Sequence, residues 1–395
     1  MKLIMLMPEM PFPANTGGRI LVAKRLEYLS KNNEIYLFCI VDGEKDFLFK
    51  KELEKFCKEV HLYDRSKVKI QNMFKSLFIG PYACASRTYK KLKDDIDLCF
   101  DKIQPEFVIV EFPQMLGNIS PKILKQKKVI LEQHNIEYLT MHNLGCCQTG
   151  LKKRIFLFEA NRLKKYEEKF YKKDEVLLYT FVSSSDKEFF EKKYHLMNTY
   201  LFPIGAEVFS KKPLENLPNN IMYFGKMSYP PNVDGALWFA KNVFQKVKEN
   251  VPNVQFYIVG KDPDEKLLDL PKIDKDIIVT GTVESVDEYY DKAKLVIIPL
   301  GFGGGVKVKL LEALGRGKLV LTTAKGLEGT DFEPNKDVLV ANNDNEFAMK
   351  CIDVLQKVSN YDPIAKQGQN KILEKYSWNS VIQEFEKKLV QISGK

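Results

Sequence analysis

The sequence reads as two doubly wound α/β domains, and three observations carry that reading. Continuous apolar runs of strand length alternate with segments of helical spacing in both halves of the chain. The pattern stops and restarts across a junction rich in Pro and Asn, FPIGAEVFSKKPLENLPNN at 202–220. A chain of 395 residues also exceeds what one hydrophobic core usually fills. Strands alternating with helices give right-handed crossovers and parallel sheets. The expected division is 1–205, 206–376, and a C-terminal helix within 377–395 that can pack back onto the first domain.

The first half opens with KLIMLMP, an apolar run ending at Pro8 and fit for a strand buried on both faces. The loop EMPFPANTGG follows, and RILVAKRLEYLS (19–30) has helical spacing. Strands are then expected at EIYLFCIV, at 107–112 (FVIVEF), at 128–134 (KVILEQH) and at 177–185 (LLYTFVSSS). A long charged helix over about 151–174 lies before the last of these. The second half restarts with NNIMYFGKM, a strand into a glycine turn, then the helix VDGALWFAKNVFQKVKEN. VQFYIVG, IIVTGTV and KLVIIPL are strands, followed by a glycine loop, a helix over 306–316, KLVLTT and VLVAN. A last helix spans about 377–393.

The bulk numbers narrow the class. The net charge is +9, and the whole excess lies in residues 1–200, while 201–395 balance. A basic half fits either an acidic partner or a plainly Lys-rich soluble surface. The odd count of seven cysteines includes no Cys-x-x-Cys pair, which reads as reduced, cytosolic usage. Cys146 and Cys147 stand beside His142, but the spacing of a closed metal site is missing. No apolar run reaches the roughly 18–20 residues that span a bilayer. The N-terminus reads as a buried strand rather than a signal peptide, since no small-residue cleavage site follows it.

The most informative stretch is PLGFGGGVKVKLLEALGRGKLVLTT, Pro299 to Thr323. Gly303, Gly304 and Gly305 let backbone N–H groups approach an oxyanion, and the following helix N-terminus adds free donors and partial positive charge. Lys307 and Lys309 bring full charge, which is chemistry for a phosphate or diphosphate. Glu312 shares a helix face with Lys309 only. A carboxylate cannot serve phosphate, but it can accept from the vicinal hydroxyls of a ribose. In open parallel sheets ligands lie at the carboxyl ends of strands, so the cleft between two such domains is the default active site.

These residues carry a resemblance. FGKMSYPPNVDGALWFA, FYIVGKDP, the run from VTGTVESVDEYYDKAK through the glycine loop to TTAKGLEG, and YSW resemble the C-terminal domain of retaining GT-B glycosyltransferases of family 4. The nearest subset is the bacterial polysaccharide sugar transferases with a Gly-Gly-Gly donor loop. PFPANTGGRILVAKRL and LEQHNIEYL are similar to that family's first glycine loop and its His-bearing loop, so the ordered motifs cover nearly the whole chain. The resemblance implies two Rossmann-like domains facing a central cleft, the first for the acceptor and the second for a nucleotide sugar. Glu312 then matches the second Glu of the family's paired-Glu motif, which holds the ribose; the first Glu would fall at Gly304 and is absent. Lys226, after Gly225, matches the Arg that neutralises the diphosphate. The family's second Lys would fall near Pro231 and is absent, so Lys307 or Lys309 is expected to replace it. Val283 matches the strand end whose backbone meets the base. Gly17 and Gly18 match the loop over the diphosphate and acceptor, His134 a histidine near the reacting carbon, and Glu111 is a candidate for acceptor contact.

The implied reaction keeps the anomeric configuration of the sugar and releases a nucleoside diphosphate. Lysines and backbone dipoles offset the charge on the departing phosphate, so neither a metal nor a cofactor is expected; DPD at 262–264 reads as a loop. The segments 75–93 and 151–173 mix aromatic, apolar and basic residues, which suits either an anionic membrane bearing a lipid-linked acceptor or ordinary amphipathic packing. The reading is a cytoplasmic enzyme able to dock at the inner face of the membrane and act on a glycan or lipid-linked acceptor. The rivals are a nucleotide-sugar epimerase and a non-catalytic nucleotide-sugar-binding partner. A dinucleotide-dependent oxidoreductase lacks its Gly-x-Gly-x-x-Gly after the first strand. Nucleic-acid binding would rest on charge alone.

Overall fold

The computed structural model describes residues 1–14, 16–66, 76, 78, 80–171, 175–210, 213–303 and 305–394. The chain divides into two units, one of residues 1–203 with 382–395 and one of residues 204–381.

The first unit is built on a parallel sheet of β1 (Lys2–Met7), β2 (Glu34–Val41), β3 (Glu59–Asp64), β4 (Phe107–Glu111), β5 (Val129–Gln133), β6 (Leu178–Phe181) and β7 (Thr199–Leu201). Their order is β3-β2-β1-β4-β5-β6-β7. In register, Met7 stands beside Cys39 and Leu6 beside Val110. The central strands are buried along nearly their whole length, as continuous apolar runs require when helices cover both faces. The edge strands β3 and β7 are only half-buried. EVHLYD and TYL therefore lack the apolar continuity that marks the others, and sequence pattern alone passes them over.

Five helices of this unit matter below: α1 (Gly17–Leu29), α2 (Lys90–Ile103), α3 (Glu137–Cys146), α4 (Gly150–Tyr171) and α5 (Ser184–Tyr194). Two boundaries differ from the sequence expectation for physical reasons. Helix α1 begins at Gly17, so both glycines belong to its first turn rather than to a separate loop. The strand expected over 177–185 stops at Phe181, because Ser183 caps α5 by accepting from the Asp186 N–H at 3.4 Å.

The second unit repeats the plan with β8 (Asn220–Phe224), β9 (Gln255–Val259), β10 (Ile277–Gly281), β11 (Leu295–Ile298), β12 (Leu319–Thr322) and β13 (Leu339–Val340) in the order β10-β9-β8-β11-β12-β13, all parallel. Helices α6 (Pro230–Phe239), α7 (Asp287–Lys292) and α8 (Val308–Gly315) bear on the site. One core layer gathers Phe239, Phe244, Phe256 and Phe347; the other gathers Leu310, Leu311 and Leu314 of α8 against Val296, Ile298 and Tyr376. The amphipathic pattern of α8 thus fixes its buried face and turns Lys309 and Glu312 away from the core.

The last helix, α9 (Trp378–Ser393), begins in the second unit, and from Ile382 onward it belongs to the first. There Phe385 stacks on Phe202 with ring centroids 4.0 Å apart. Asn33 and Asn32 donate to the Glu386 carboxylate at 2.6 and 2.9 Å. Among the described residues, no helix is long and apolar enough to cross a membrane.

Candidate active site

The strand order of the second sheet reverses between β8 and β11, and that is where a doubly wound sheet opens a crevice at its carboxyl edge. The loops leaving those two strands carry Gly225-Lys226 and Gly303 to Gly305. Gly225 has φ +148, and a Cβ there would lie 2.8 Å from Asn232 Nδ2 and 3.0 Å from Lys309 Nζ. Gly260, at the end of β9, has φ +147, and its Cβ would overlap the Gly225 carbonyl oxygen at 1.8 Å. Both positions need glycine for their positive φ, and a side chain would strike Asn232 and Lys309 at the first and the Gly225 backbone at the second.

Lys309 is the centre of this arrangement. The residue keeps some exposed area, but its Nζ donates to Asn232 Oδ1 at 2.7 Å and to the Tyr223 hydroxyl at 3.4 Å, and lies 4.6 Å from the centre of the Tyr223 ring. Asn232 is held in turn: its Oδ1 accepts from the Tyr223 hydroxyl at 3.1 Å, and its Nδ2 donates to the Lys226 carbonyl at 2.9 Å. Among the described residues, no carboxylate is hydrogen-bonded to this ammonium. Burial, helped by Lys307, brings the Lys309 pKa down to about 7, with Glu312 opposing. Such a group gains most from an arriving anion.

Lys307 plays a different part. It is 8% exposed, and its Nζ donates to the carbonyls of Gly305 at 2.7 Å and Gly303 at 3.3 Å, so it fastens its own loop. Burial lowers its pKa as well. Gly303 and Gly305 have φ +113 and +71; Gly304 lies outside the described residues. Lys307 is also the N-cap of α8 and makes no side-chain cap bond there; its carbonyl accepts from the Leu310 N–H at 2.8 Å, which leaves the Val308 and Lys309 N–H groups to a ligand or water. Lys226 is exposed at the end of β8.

Glu312 lies on α8, its side chain about a third exposed. Arg316 Nη1 stands 3.3 Å from its Oε1. Burial raises the Glu312 carboxyl, Arg316 lowers it, Asp287 raises it and Lys309 lowers it. Val283 follows β10 and packs partly buried against the inner layer.

In the first unit, Gly17 and Gly18 open α1, and a Cβ on either would meet nothing within 4 Å. The space around both glycines is open. Thr16 makes no side-chain cap bond, so this is another helix start with spare donors. Beneath it, Gly18, Arg19, Glu9, Glu111, Phe112 and His134 line a small pocket of about 30 Å³.

Strands β4 and β5 place Glu111, Glu132 and His134 together at their carboxyl ends, with one ligand atom of each within 4.8 Å of the others. His134 Nε2 is 3.3 Å from Glu111 Oε2 and 3.9 Å from Glu132 Oε2. Arg25 of α1, only 1% exposed, donates from Nη1 to Glu132 Oε2 at 2.7 Å and from Nη2 to the Phe202 carbonyl at 2.6 Å. Burial opposes ionisation of Glu132, but Arg25 and His134 outweigh it and hold this carboxyl below the usual range. Glu111 has no such partner: burial and the Glu132 charge push it well up, against Arg25, and neither of its oxygens finds a donor. Burial also lowers the His134 imidazole. This trio is the one group among the described residues that could hold a metal ion, although Arg25 already supplies positive charge at Glu132.

The sequence missed Asn232, Tyr223, Arg316, Arg25 and Glu132. Only Asn232 left a trace, as the residue after the Pro-Pro that starts α6.

Comparison with known proteins bears on the second unit and on the fold. Residues 218–357 match the family model for group 1 glycosyl transferases. A 44.6 kDa protein of the cps region of Klebsiella pneumoniae is 25% identical over 390 residues, covering 96% of this chain and 97% of that one. The lipopolysaccharide 1,2-N-acetylglucosaminetransferase of Salmonella typhimurium is 25% identical over 238 residues, covering 51% of this chain and 59% of its own length. Among solved structures, Anabaena Alr3699/HepE in complex with UDP superposes with a TM-score of 0.65 at 14% identity, covering 99% of this chain and 100% of that one. Within the second unit residues 218–357 thus match a group 1 glycosyl transferase domain, and the chain has the fold of GT-B glycosyltransferase structures.

Proposed function

We propose that the protein is a retaining, metal-independent glycosyltransferase that moves a sugar from a nucleoside-diphosphate sugar to a glycan or lipid-linked acceptor in cell-surface polysaccharide synthesis. The observation that carries this reading is Lys309: an ammonium with no carboxylate among the described residues bonded to it, aimed at the glycine turn after β8, on the helix that also bears Glu312. A diphosphate at that turn would meet Lys309, Lys226 and the first N–H groups of α8, while Glu312, one turn on, would accept from ribose hydroxyls. The family match of the second unit, the UDP bound by the Anabaena protein and the cps and lipopolysaccharide relatives support the donor class and the pathway.

In the proposed reaction the glycosidic bond to the β-phosphate breaks while the acceptor oxygen bonds the anomeric carbon on the same face. The acceptor proton leaves with the departing phosphate. Lys309, Lys226 and the α8 dipole stabilise the charge that grows on that phosphate, which is usually the largest catalytic term. His134 is assigned to the sugar side, Glu111 to acceptor contact, and Gly17-Gly18 to the loop that covers both. On α4, Leu151, Ile155 and Phe158 stand exposed at i, i+4 and i+7, with Lys152, Lys153 and Arg154 exposed among them. That face supports peripheral docking on an anionic membrane.

The test is product analysis with the identified donor and a membrane-extract acceptor. NMR should show the donor's anomeric configuration retained in the product and activity surviving a chelator. An inverted product, or complete loss with chelator that returning a divalent ion restores, would overturn the corresponding part.

A further inference from the structure

The region around Glu312 holds a linkage that the reaction does not explain. Arg316 caps α8 and sits with its guanidinium 4.2 Å from the Phe209 ring and 4.5 Å from the Tyr290 ring. Its side chain is 13% exposed. Nη1 stands 3.3 Å from Glu312 Oε1, while Nη2 and Nε donate to Asp287 Oδ1 at 2.7 and 3.3 Å. Asp287 opens α7, just after the Val283 segment. Two aromatic contacts and two carboxylates hold the planar group in one orientation, which a flexible ammonium would not keep.

We propose that Arg316 is a positioning residue that ties the segment following β10 to the Glu312 carboxylate, and that it thereby sets the site's preference for ribose over deoxyribose nucleotides. This rests on the reading that Glu312 accepts from the donor ribose. A Glu side chain on a helix has several rotamers. Only a rotamer that places a carboxylate oxygen on the 2′-hydroxyl can distinguish ribose from its 2′-deoxy form. Arg316 selects the rotamer and, as a full positive charge 3.3 Å away, opposes the burial that raises the Glu312 carboxyl. The other charged groups acting on Glu312 are Asp287, which raises its pKa, and Lys309, which lowers it; the Glu312 charge in turn raises the buried Tyr290 hydroxyl, which finds no hydrogen-bond partner among the described residues.

The experiment measures affinity for the preferred nucleoside diphosphate, for its 2′-deoxy counterpart and for inorganic pyrophosphate, in wild type, Arg316→Met, Arg316→Lys and Asp287→Asn. Wild type should favour the ribo form by about tenfold or more, as a lost charge-assisted hydrogen bond requires. Arg316→Met should bring the ratio to within about twofold and leave pyrophosphate affinity unchanged. Arg316→Lys should recover part of the ratio, and Asp287→Asn should reduce it less than Arg316→Met. In Arg316→Met the ribonucleotide affinity should also decline from a higher pH on acidification, because Glu312 protonates sooner. An unchanged ratio in a folded Arg316→Met protein overturns the proposal; if that variant does not fold, an unchanged ratio in Asp287→Asn does. A wild type that binds the nucleotide with no ribose preference sinks the reading of Glu312, and the proposal with it.

Discussion

Lys309 Nζ donates to Asn232 Oδ1 at 2.7 Å, and a Cβ on Gly225 would approach the same Nζ to 3.0 Å. A lysine from one crossover and an asparagine from another therefore meet at the single glycine that ends β8. That meeting is what the sequence could not display, since the two residues are 77 positions apart.

Removing this ammonium should cripple donor use. Lys309→Ala is expected to lower kcat/KM by about 10²–10³, the range for losing one preorganised donor to a developing oxyanion. Asn232→Ala, which leaves the ammonium in place but removes the asparagine's bonds to Lys309, Tyr223 and the Lys226 carbonyl, should cost less. Steady-state kinetics with a varied donor decide the matter, and a wild-type value for Lys309→Ala would remove Lys309 from the mechanism.

The enclosure of Lys309 makes donor binding sensitive to pH. With its pKa brought to about 7, the free protein holds the ammonium below that pH and loses it above. A bound diphosphate favours the charged form. Donor Kd should therefore be lowest on the acid side of neutrality and rise toward about tenfold per pH unit above it, until the bound-state pKa is reached. Calorimetry over this range should also detect proton uptake on binding. A Kd flat between about pH 6 and 9 would contradict the geometry.

Glu111 should cost stability at neutral pH. Its carboxyl is raised by burial above its value in the unfolded chain, so folding favours the protonated form. Its contribution is therefore full below the unfolded pKa and is lost as pH rises toward the folded one. Glu111→Gln should raise Tm by a few degrees at neutral pH, on the order of 1 kcal/mol. The gain should shrink at acid pH. A lower Tm at neutral pH would show that the carboxylate is paired after all.

Arg25 is the opposite case. Its guanidinium stacks 3.7 Å from the Phe202 ring centre and pairs with Glu132, both side chains 1% exposed. Arg25→Met leaves Glu132 charged and buried, and should cost about 3–5 kcal/mol. Chemical denaturation measures this directly, and the double variant with Glu132→Gln should recover part of the loss.

The fold was legible because its central strands are buried on both faces and read as unbroken apolar runs; KLIMLM and KLVIIPL allow no other placement. The edge strands β3 and β7 of the first sheet escaped because they are half-buried, and their pattern resembles loop. Of the site, glycines with positive φ and a lysine before a helix leave local marks, so the loop at 303–305 stood out. Its two lysines, spaced alike in sequence, take opposite parts: Lys307 closes the loop, and Lys309 reaches the strand end. The Arg25–Glu132 pair spans 107 positions, and no local pattern records it.

The most direct test of the account is thermal stabilisation of wild type and Glu312→Ala by UDP-, GDP-, ADP- and dTDP-sugars. The account predicts that one donor raises the Tm of wild type by several degrees and that Glu312→Ala loses most of the shift. No shift with any donor, or one that survives the loss of Glu312, would contradict a nucleotide-sugar site built on α8.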